Sequence, residues 1–285
     1  MSLVINHNLM SMNASRNLNE SYGDLSRSTR RLSSGLRVGT AADDAAGLAI
    51  RELMRSDVAT LNQGVRNAND AISMVQTADG ALQVIDEKLI RMKELAEQAA
   101  TGTYNDEQRK ILNSEYQAMA SEITRISNAT DFNQVHLLNG NLSDKGMKIH
   151  FGTGNSSKED YYSIKIGTTT ASAFGLGSAA AADPGKSIET QDKAASALEQ
   201  IDKAIVSKDN IRADLGALQN RLEATISNLE IQSENMSSAE SRISDVDVAT
   251  EMTEFVRNQI KTKSAVAMLS QANSLPQMAM QLIQQ

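Results

Sequence analysis

The chain has 285 residues, of which 3% are aromatic and none is Trp or Cys, and its formal net charge at pH 7 is −7. The absence of Cys excludes disulfides, thiolate metal sites and a cysteine nucleophile. The negative charge, with Lys and Arg interspersed among more numerous Asp and Glu, argues against nucleic acid as a partner.

The N-terminal part of the sequence predicts two long helices. Apolar or semi-apolar residues over 18–36 are spaced alternately four and three residues apart, which is a heptad stripe. A second stripe over 61–89 predicts a helix over 44–100, and the side-chain oxygen of Thr40 or Asp43 is the expected N-cap. The seam of this second helix is expected to contain Leu61, Val65, Ile72, Val75 and Leu82.

The middle of the chain departs from this helical pattern. Asn105 followed by Gln108 resembles a capping box and predicts the start of a third helix. Residues 147–151 and 161–166 alternate apolar and polar side chains, with a Gly- and Ser-rich stretch between them. This arrangement predicts a small β-hairpin.

The C-terminal part returns to heptad spacing. A stripe over 215–246 keeps strict three–four spacing for more than four heptads, and we interpret it as a coiled-coil helix. One long helix in an ordinary bundle is the alternative. Residues 252–285 and the first dozen residues are also apolar, which suggests segments that become buried only on assembly. The seam of this helix is expected to contain Leu215, Leu218, Leu222, Leu229, Met236 and Ile243.

The sequence carries no strong signal for catalysis, a cofactor or a membrane. Residues 180–187 formally fit a relaxed phosphate-loop pattern, but the first glycine and the leading strand are missing. The three histidines, His7, His136 and His150, are far apart and form no metal-binding motif. No apolar run approaches a bilayer span and no cleavable signal peptide is recognisable, so we expect no membrane partner. Since no motif for catalysis or ligand binding stands out, we also expect no cofactor, no metal and no enzyme activity.

Five strings of residues, at both ends of the chain, stand out as a set: 31–38, 43–50, 212–222, 241–247 and 271–277. Together they resemble bacterial flagellins. The resemblance covers roughly residues 1–170 and 190–285, and it implies a structural subunit that polymerises into the flagellar filament. It also implies a mainly α fold in which long N- and C-terminal coiled-coil helices pair into a rod with a small β-hairpin.

The resemblance implies a division of the chain into three parts. Residues 1–40 with 250–285 would form the filament core, and residues 41–175 with 185–249 would form a rod domain. A short loop at 176–184 takes the place of outer domains. The residues expected to form the polymerisation core are Leu3, Ile5, Leu9, Leu18, Leu25, Leu32, Phe255, Ile260, Leu269, Leu275 and Leu282.

The partners implied by the resemblance are further copies of the chain, a flagellar export chaperone, and the hook-associated and cap proteins. Host Toll-like receptor 5 is a further implied partner, with Arg91, Leu95 and Glu115 as its candidate contacts on an exposed helix. The implied location is extracellular, after export without a cleaved signal peptide. Two alternatives stay open at this point, a hook–filament junction protein of the flagellum and a surface adhesin.

Overall fold

The computed structural model describes residues 8–144, 146–156, 159–177 and 185–283, with the side chains of 275–277 and 279–283 excepted. These residues are mainly helical, which confirms the predicted fold class. The elements in chain order are α1 (Leu9–Ser34), α2 (Ala45–Ala100), α3 (Asp106–Ala129), β1 (Asp131–Phe132), β2 (Val135–His136), β3 (Met147–His150), β4 (Tyr161–Ile164), α4 (Gln191–Ser244) and α5 (Val248–Ile283). The β3–β4 hairpin was expected, whereas the two-residue pair β1–β2 was not.

The chain divides into two compact units. The first contains residues 1–58 and 234–285, and the second contains residues 59–233. Helices α2 and α4 therefore contribute residues to both units. The boundaries between filament core and rod that were expected from the sequence, at 40/41 and 249/250, differ from the boundaries of these two units, at 58/59 and 233/234. The expected boundaries stay a prediction about the assembled filament.

Helix α3 begins with the capping box that the sequence predicted. The Asn105 side chain accepts a hydrogen bond from the Gln108 amide at 2.9 Å, and the Asn105 amide donates to the Gln108 side chain at 3.1 Å. The amides of Asn105 and Gln108 have no backbone partner within the helix, and each is thus satisfied by the side chain of the other residue.

Helix α2 begins differently from the prediction. The Asp44 carboxylate accepts from the Gly47 amide at 2.9 Å, so Asp44 is the N-cap residue. Thr40 and Asp43 instead form a separate turn, in which the Thr40 amide donates to the Asp43 carboxylate at 3.1 Å. The expectation that Thr40 or Asp43 caps α2 was therefore wrong, because these two residues hydrogen-bond to each other before the helix starts.

The core of the second unit is built on residues that repeat every seven positions. The expected seam on α2 is buried or half-buried, and a second, buried series lies on the same helix at Ala71, Ala78, Ile85, Met92 and Ala99. Helix α2 is therefore covered on two sides. All predicted seam residues up to Leu229 are buried or partly buried in the apolar clusters of this unit. Met236 and Ile243 are partly buried in the first unit.

The β3–β4 hairpin lies very close to α2. A Cβ atom built on Gly64 would lie 2.1 Å from the carbonyl oxygen of Phe151, so only glycine permits this approach. The Asn67 side-chain amide donates to the backbone carbonyl of His150 at 2.8 Å. Phe151 is 3% exposed and clusters with Leu61 and Leu229.

The same hairpin also contacts α4. The guanidinium of Arg221 lies 3.9 Å from the ring centroid of Tyr162, which is a cation–π contact. The Tyr162 hydroxyl lies 3.1 Å from the hydroxyl of Thr225. The hairpin thus bridges the two long helices within the second unit.

Candidate assembly surface

Helices α1 and α5 run antiparallel in the first unit, and polar side chains join them near the start of α1. The Asn8 side chain accepts from the Ser11 amide at 3.0 Å and so caps α1. Its amide group also donates to the backbone carbonyl of Ala272 at 2.7 Å. Ser11 donates to the Asn273 side chain at 2.7 Å. One residue, Asn8, therefore both starts α1 and attaches it to α5.

The opposite end of the pair is fixed where α1 stops. Gly35 is in the left-handed conformation with φ of 71°, and its amide donates to the Arg31 carbonyl. This is the usual C-cap geometry, which glycine adopts without a steric penalty. Arg31 lies 3.6 Å from the Glu251 carboxylate on α5.

The chain after Gly35 pairs with the connection between α4 and α5. The Arg37 amide donates to the Ser244 carbonyl at 2.7 Å, and the Val246 amide donates to the Gly35 carbonyl at 3.0 Å. Next to this pairing, hydrogen bonds from Ser241 and Ser244 hold the pKa of Asp245 below its ordinary value.

Asp247 shapes the first turn of α5. Its carboxylate accepts from the amides of Ala249 and Thr250 at 2.9 and 3.3 Å and from the Thr250 hydroxyl at 2.9 Å. The Thr250 hydroxyl and amide hold the pKa of Asp247 below its ordinary value. An ionised Asp247 is thus the form that fits the helix start.

The face that α1 and α5 turn toward each other contains buried polar side chains. Ser28 is 4% exposed on α1, and Asn258 and Thr262 are 6% and 7% exposed on α5. The Thr262 hydroxyl donates to the carbonyl of Asn258 at 2.8 Å, within its own helix. Polar groups thus occupy positions that an isolated soluble helix pair would normally fill with apolar residues.

Large hydrophobic side chains are exposed on both helices of the pair, and on α5 several of them form a row. Val248, Met252, Val256 and Ile260 lie four residues apart on α5, and Ile260 is 58% exposed. Residues four apart share one side of a helix, so these side chains form a row. Eleven residues constitute what we call the outward apolar face: Leu9, Met10, Met12, Tyr22, Val248, Met252, Val256, Ile260, Val266, Met268 and Met278.

An exposed apolar face of this length is a feature of chains that assemble. Single exposed hydrophobic residues are common on monomers, but eleven exposed large hydrophobic residues on one pair of helices are not. Covering it would remove apolar area from water while leaving the polar contacts between α1 and α5 in place. The arrangement therefore indicates a surface that further protein covers.

The residues expected in the polymerisation core fall into three groups. Leu9 and Ile260 belong to the outward apolar face, at 64% and 58% exposure. Leu3 and Ile5 lie outside the described residues, as do the side chains of Leu275 and Leu282. The remaining five are half-buried along the heptad seam of the pair: Leu18, Leu25, Leu32, Phe255 and Leu269.

Sequence reasoning missed most of the outward apolar face. Met10, Met12 and Met268 were not assigned to the polymerisation core, although each is about half exposed or more. The heptad stripe predicts only the residues that pack in the seam between the two helices. The missed signal was the second apolar row on α5, spaced by four residues from Val248.

The candidate receptor contacts are only partly at the surface. Arg91 donates to the carboxylates of Glu115 and Glu94, each at 2.9 Å, and all three side chains are exposed. The hydrogen bond to Glu94, followed by the one to Glu115, makes the largest contribution to raising the pKa of Arg91 above its ordinary value. Leu95, however, is 1% exposed because it belongs to the second buried side of α2. The expectation that Leu95 is available on an exposed helix does not fit this position.

The described part of the chain contains no group of three or more His, Cys, Asp or Glu residues able to hold a metal ion. Within the same residues, none of the helices is both long and apolar enough to cross a membrane.

Comparison with known proteins gives matches along nearly the whole chain. Residues 5–143 match the model of the bacterial flagellin N-terminal helical region, and residues 198–283 match that of the C-terminal helical region. A flagellin of Halalkalibacterium halodurans is 41% identical over 281 residues, covering 99% of this chain and 100% of that protein. A flagellar filament core protein of Brachyspira hyodysenteriae is 39% identical over 290 residues, with 99% and 100% coverage.

One solved structure supports the fold. It is of a Vibrio parahaemolyticus protein proposed to be flagellar hook-associated, with a TM-score of 0.53 over 71% of this chain and 100% of that one. At 15% identity, this likeness concerns the fold alone.

Proposed function

Because this chain belongs to the bacterial flagellin family and is a structural subunit of the flagellar filament, we propose that its copies polymerise through the outward apolar face. The filament lies outside the cell, and the family is one of structural proteins. The observation that supports the proposal is the exposure of large hydrophobic residues on the α1–α5 pair, such as Ile260 at 58%, while Ser28, Asn258 and Thr262 are buried.

Burial of this face makes a substantial favourable contribution to assembly. Each of its eleven residues has roughly half of its side chain exposed or more. Full burial of such a side chain contributes about 1.5–3 kcal/mol, so burying the exposed half of each contributes on the order of 10 kcal/mol per subunit. This term opposes the cost of association and side-chain ordering, and it favours a polymer in which each copy covers the face of its neighbours.

Seeded polymerisation tests the proposal. Ile260→Glu places a charge in the middle of the face, and we expect the critical concentration for filament growth to rise at least about a hundredfold, because a buried unpaired carboxylate is costly. The matched control is Ile111→Glu, the same substitution at a residue of α3 that is 71% exposed and does not belong to the outward apolar face. Growth is measured by light scattering and electron microscopy.

Two results would count against the proposal. Long filaments of Ile260→Glu at the wild-type critical concentration would show that this face is not covered in the polymer. An equal loss of growth in Ile260→Glu and Ile111→Glu would mean that added charge, rather than the outward apolar face, is responsible. Circular dichroism of both variants establishes that the helices are retained.

A second part of the proposal concerns the protein before assembly. The outward apolar face needs a cover inside the cell, and an export chaperone bound to α5 would supply it. We propose that the chain then leaves the cell without cleavage of its N-terminus and adds beneath the cap and beyond the hook-associated proteins. The intact mass of subunits from sheared filaments checks the export route, since loss of about 15 residues or more from the N-terminus would indicate a cleaved signal.

The receptor proposal is restricted to the exposed residues of the Arg91 cluster. Arg91 and Glu115 are accessible in the subunit, and their ion pair links α2 to α3. An arginine with several hydrogen-bond donors is a frequent interface hot spot. Toll-like receptor 5 would therefore contact Arg91 and Glu115, while Leu95 supports the helix from inside the core.

A further inference from the structure

Helices α2 and α4 have seams that repeat almost unchanged every seven residues. On α2 the buried series is Leu61, Ala68, Val75, Leu82, Leu89 and Ala96, and on α4 it is Ala194, Ile201, Lys208, Leu215, Leu222 and Leu229. Sliding one helix past the other by seven residues, about 10 Å, would again bring apolar residues opposite apolar residues. Apolar packing alone therefore defines the register of this antiparallel pair weakly.

Lys208 is the one charged member of the α4 series. Its side chain is 2% exposed, and its ammonium group lies 2.5 Å from Asp86 on α2 and 2.7 Å from Asp209. A Lys at a single seam position of a coiled coil costs stability but specifies register, because a shifted pairing leaves it without its partner.

Two further ion pairs cross the same pair of helices. Arg212 donates to Asp79 at 2.7 Å, and Lys93 lies 2.6 Å from Asp202. Asp79, Asp86 and Lys93 are spaced by seven residues along α2, so all three lie on one side of it. We call these three cross-helix pairs, Asp79–Arg212, Asp86–Lys208 and Lys93–Asp202, the charge ladder.

The order of signs along the charge ladder penalises a shift in either direction. If α2 moves so that Asp86 takes the place of Lys93, Asp86 faces Asp202. If α2 moves the other way, Lys93 takes the place of Asp86 and faces Lys208. Each shift thus creates one like-charge contact and leaves one charge on each helix without its partner, whereas a ladder with one sign on each helix would keep only attractive contacts in both shifts.

We propose that the charge ladder sets the register of the antiparallel α2–α4 pair, and that the reversed sign of its Lys93–Asp202 pair excludes shifts of one heptad. The hairpin also bridges the two helices, and its contribution is the same in every variant of the ladder. This inference does not rest on the filament function.

Two charge-swap variants separate register selection from simple loss of ion pairs. K93D/D202K keeps three native pairs but gives each helix a single sign, so both shifted registers become attractive. D79R/R212D also keeps three native pairs, but it creates two like-charge contacts in each shifted register. The first variant should lose register selection, and the second should retain it.

Engineered cysteines report the register, since the chain has no Cys of its own. Asn62 and Ser233 face each other, with their side chains 3.1 Å apart, so N62C/S233C reports the native register. N69C/S233C and N62C/I226C report shifts of one heptad in the two directions. The full chain is unfolded in urea, refolded under reducing conditions, oxidised, and its disulfides are quantified by mass spectrometry.

We expect the ratio of shifted to native disulfide to rise about five- to tenfold in K93D/D202K, since each shift exchanges a repulsion for an attraction. In D79R/R212D the ratio should stay at or below that of the wild-type chain. An unchanged ratio in K93D/D202K, or an equal rise in both variants, would overturn the proposal. Failure of either variant to regain its helical circular dichroism would also overturn it, because both keep every native pair.

Discussion

Replacing Gly64 by Ala should destabilise the second unit, although Ala is the better helix former. Within a helix, Gly→Ala normally contributes about 1 kcal/mol of stability. At Gly64, however, the new Cβ would lie 2.1 Å from the Phe151 carbonyl oxygen and 2.9 Å from its carbon. These are backbone atoms, so the hairpin must move by about 1 Å or more, because carbon and oxygen in non-bonded contact lie roughly 3 Å or more apart.

The cost follows from what the hairpin loses when it moves. Phe151 is 3% exposed, and uncovering much of its ring costs about 2–3 kcal/mol. The hydrogen bond from Asn67 to the His150 carbonyl contributes about a further 1 kcal/mol. After subtraction of the gain in helix propensity, we expect the free energy of unfolding to fall by about 2–3 kcal/mol.

Urea denaturation followed by circular dichroism measures this change, and the same helix offers a matched control. Gly80 is exposed in α2 and a Cβ there would have nothing within 4 Å, so Gly80→Ala should raise the free energy of unfolding by about 0.5–1 kcal/mol. The two identical substitutions should thus have opposite signs. If both stabilise the protein, the close approach of the hairpin to α2 is not present in solution.

Three further predictions concern a pH effect, a cap and a surface cluster. Hydroxyl and amide donors lower the pKa values of Asp245 and Asp247 below 3.8. The stability that these ionised carboxylates contribute to the fold is therefore present above pH 3.8 and is lost as the pH falls through the lowered pKa values. The Tm of the first unit should accordingly fall when the pH is taken below 3.8. Asn105→Ala should lower the free energy of unfolding by about 1 kcal/mol in urea titrations, since it removes the α3 cap, and an unchanged value would contradict this role. Arg91→Ala should abolish signalling in a Toll-like receptor 5 reporter assay. The control Arg125→Ala removes another exposed arginine, which pairs with Glu122 on α3, and it should leave signalling unchanged. Equal responses to the two variants would contradict the receptor proposal.

Much of the fold follows from local sequence patterns. The heptad stripe over 61–89 predicted α2 to within one residue at its start, and the pair Asn105 and Gln108 predicted the cap of α3. Alternation over 147–151 and 161–166 predicted the β3–β4 hairpin. These features depend on residues close together in the chain, whose side-chain spacing determines which of them share a face.

The burial of Leu95 shows what such patterns leave undetermined. Leu95 lies four residues after Arg91, and the sequence gives no reason to treat one as buried and the other as exposed apart from polarity. Only the packing of α3 and the loops onto a second side of α2 places Leu95 in the core. The sequence determined a helix with several apolar positions, and the tertiary structure decided how many neighbours cover it.

The ends of the chain show the same division. By itself, the sequence determined that residues near both ends form amphipathic helices able to pair, because heptad spacing fixes which residues lie together on a helix. The tertiary structure decided that Ser28, Asn258 and Thr262 lie on the buried side while Ile260 faces outward. That choice depends on which partner covers each face, and the partner of the outward apolar face is not part of the single chain.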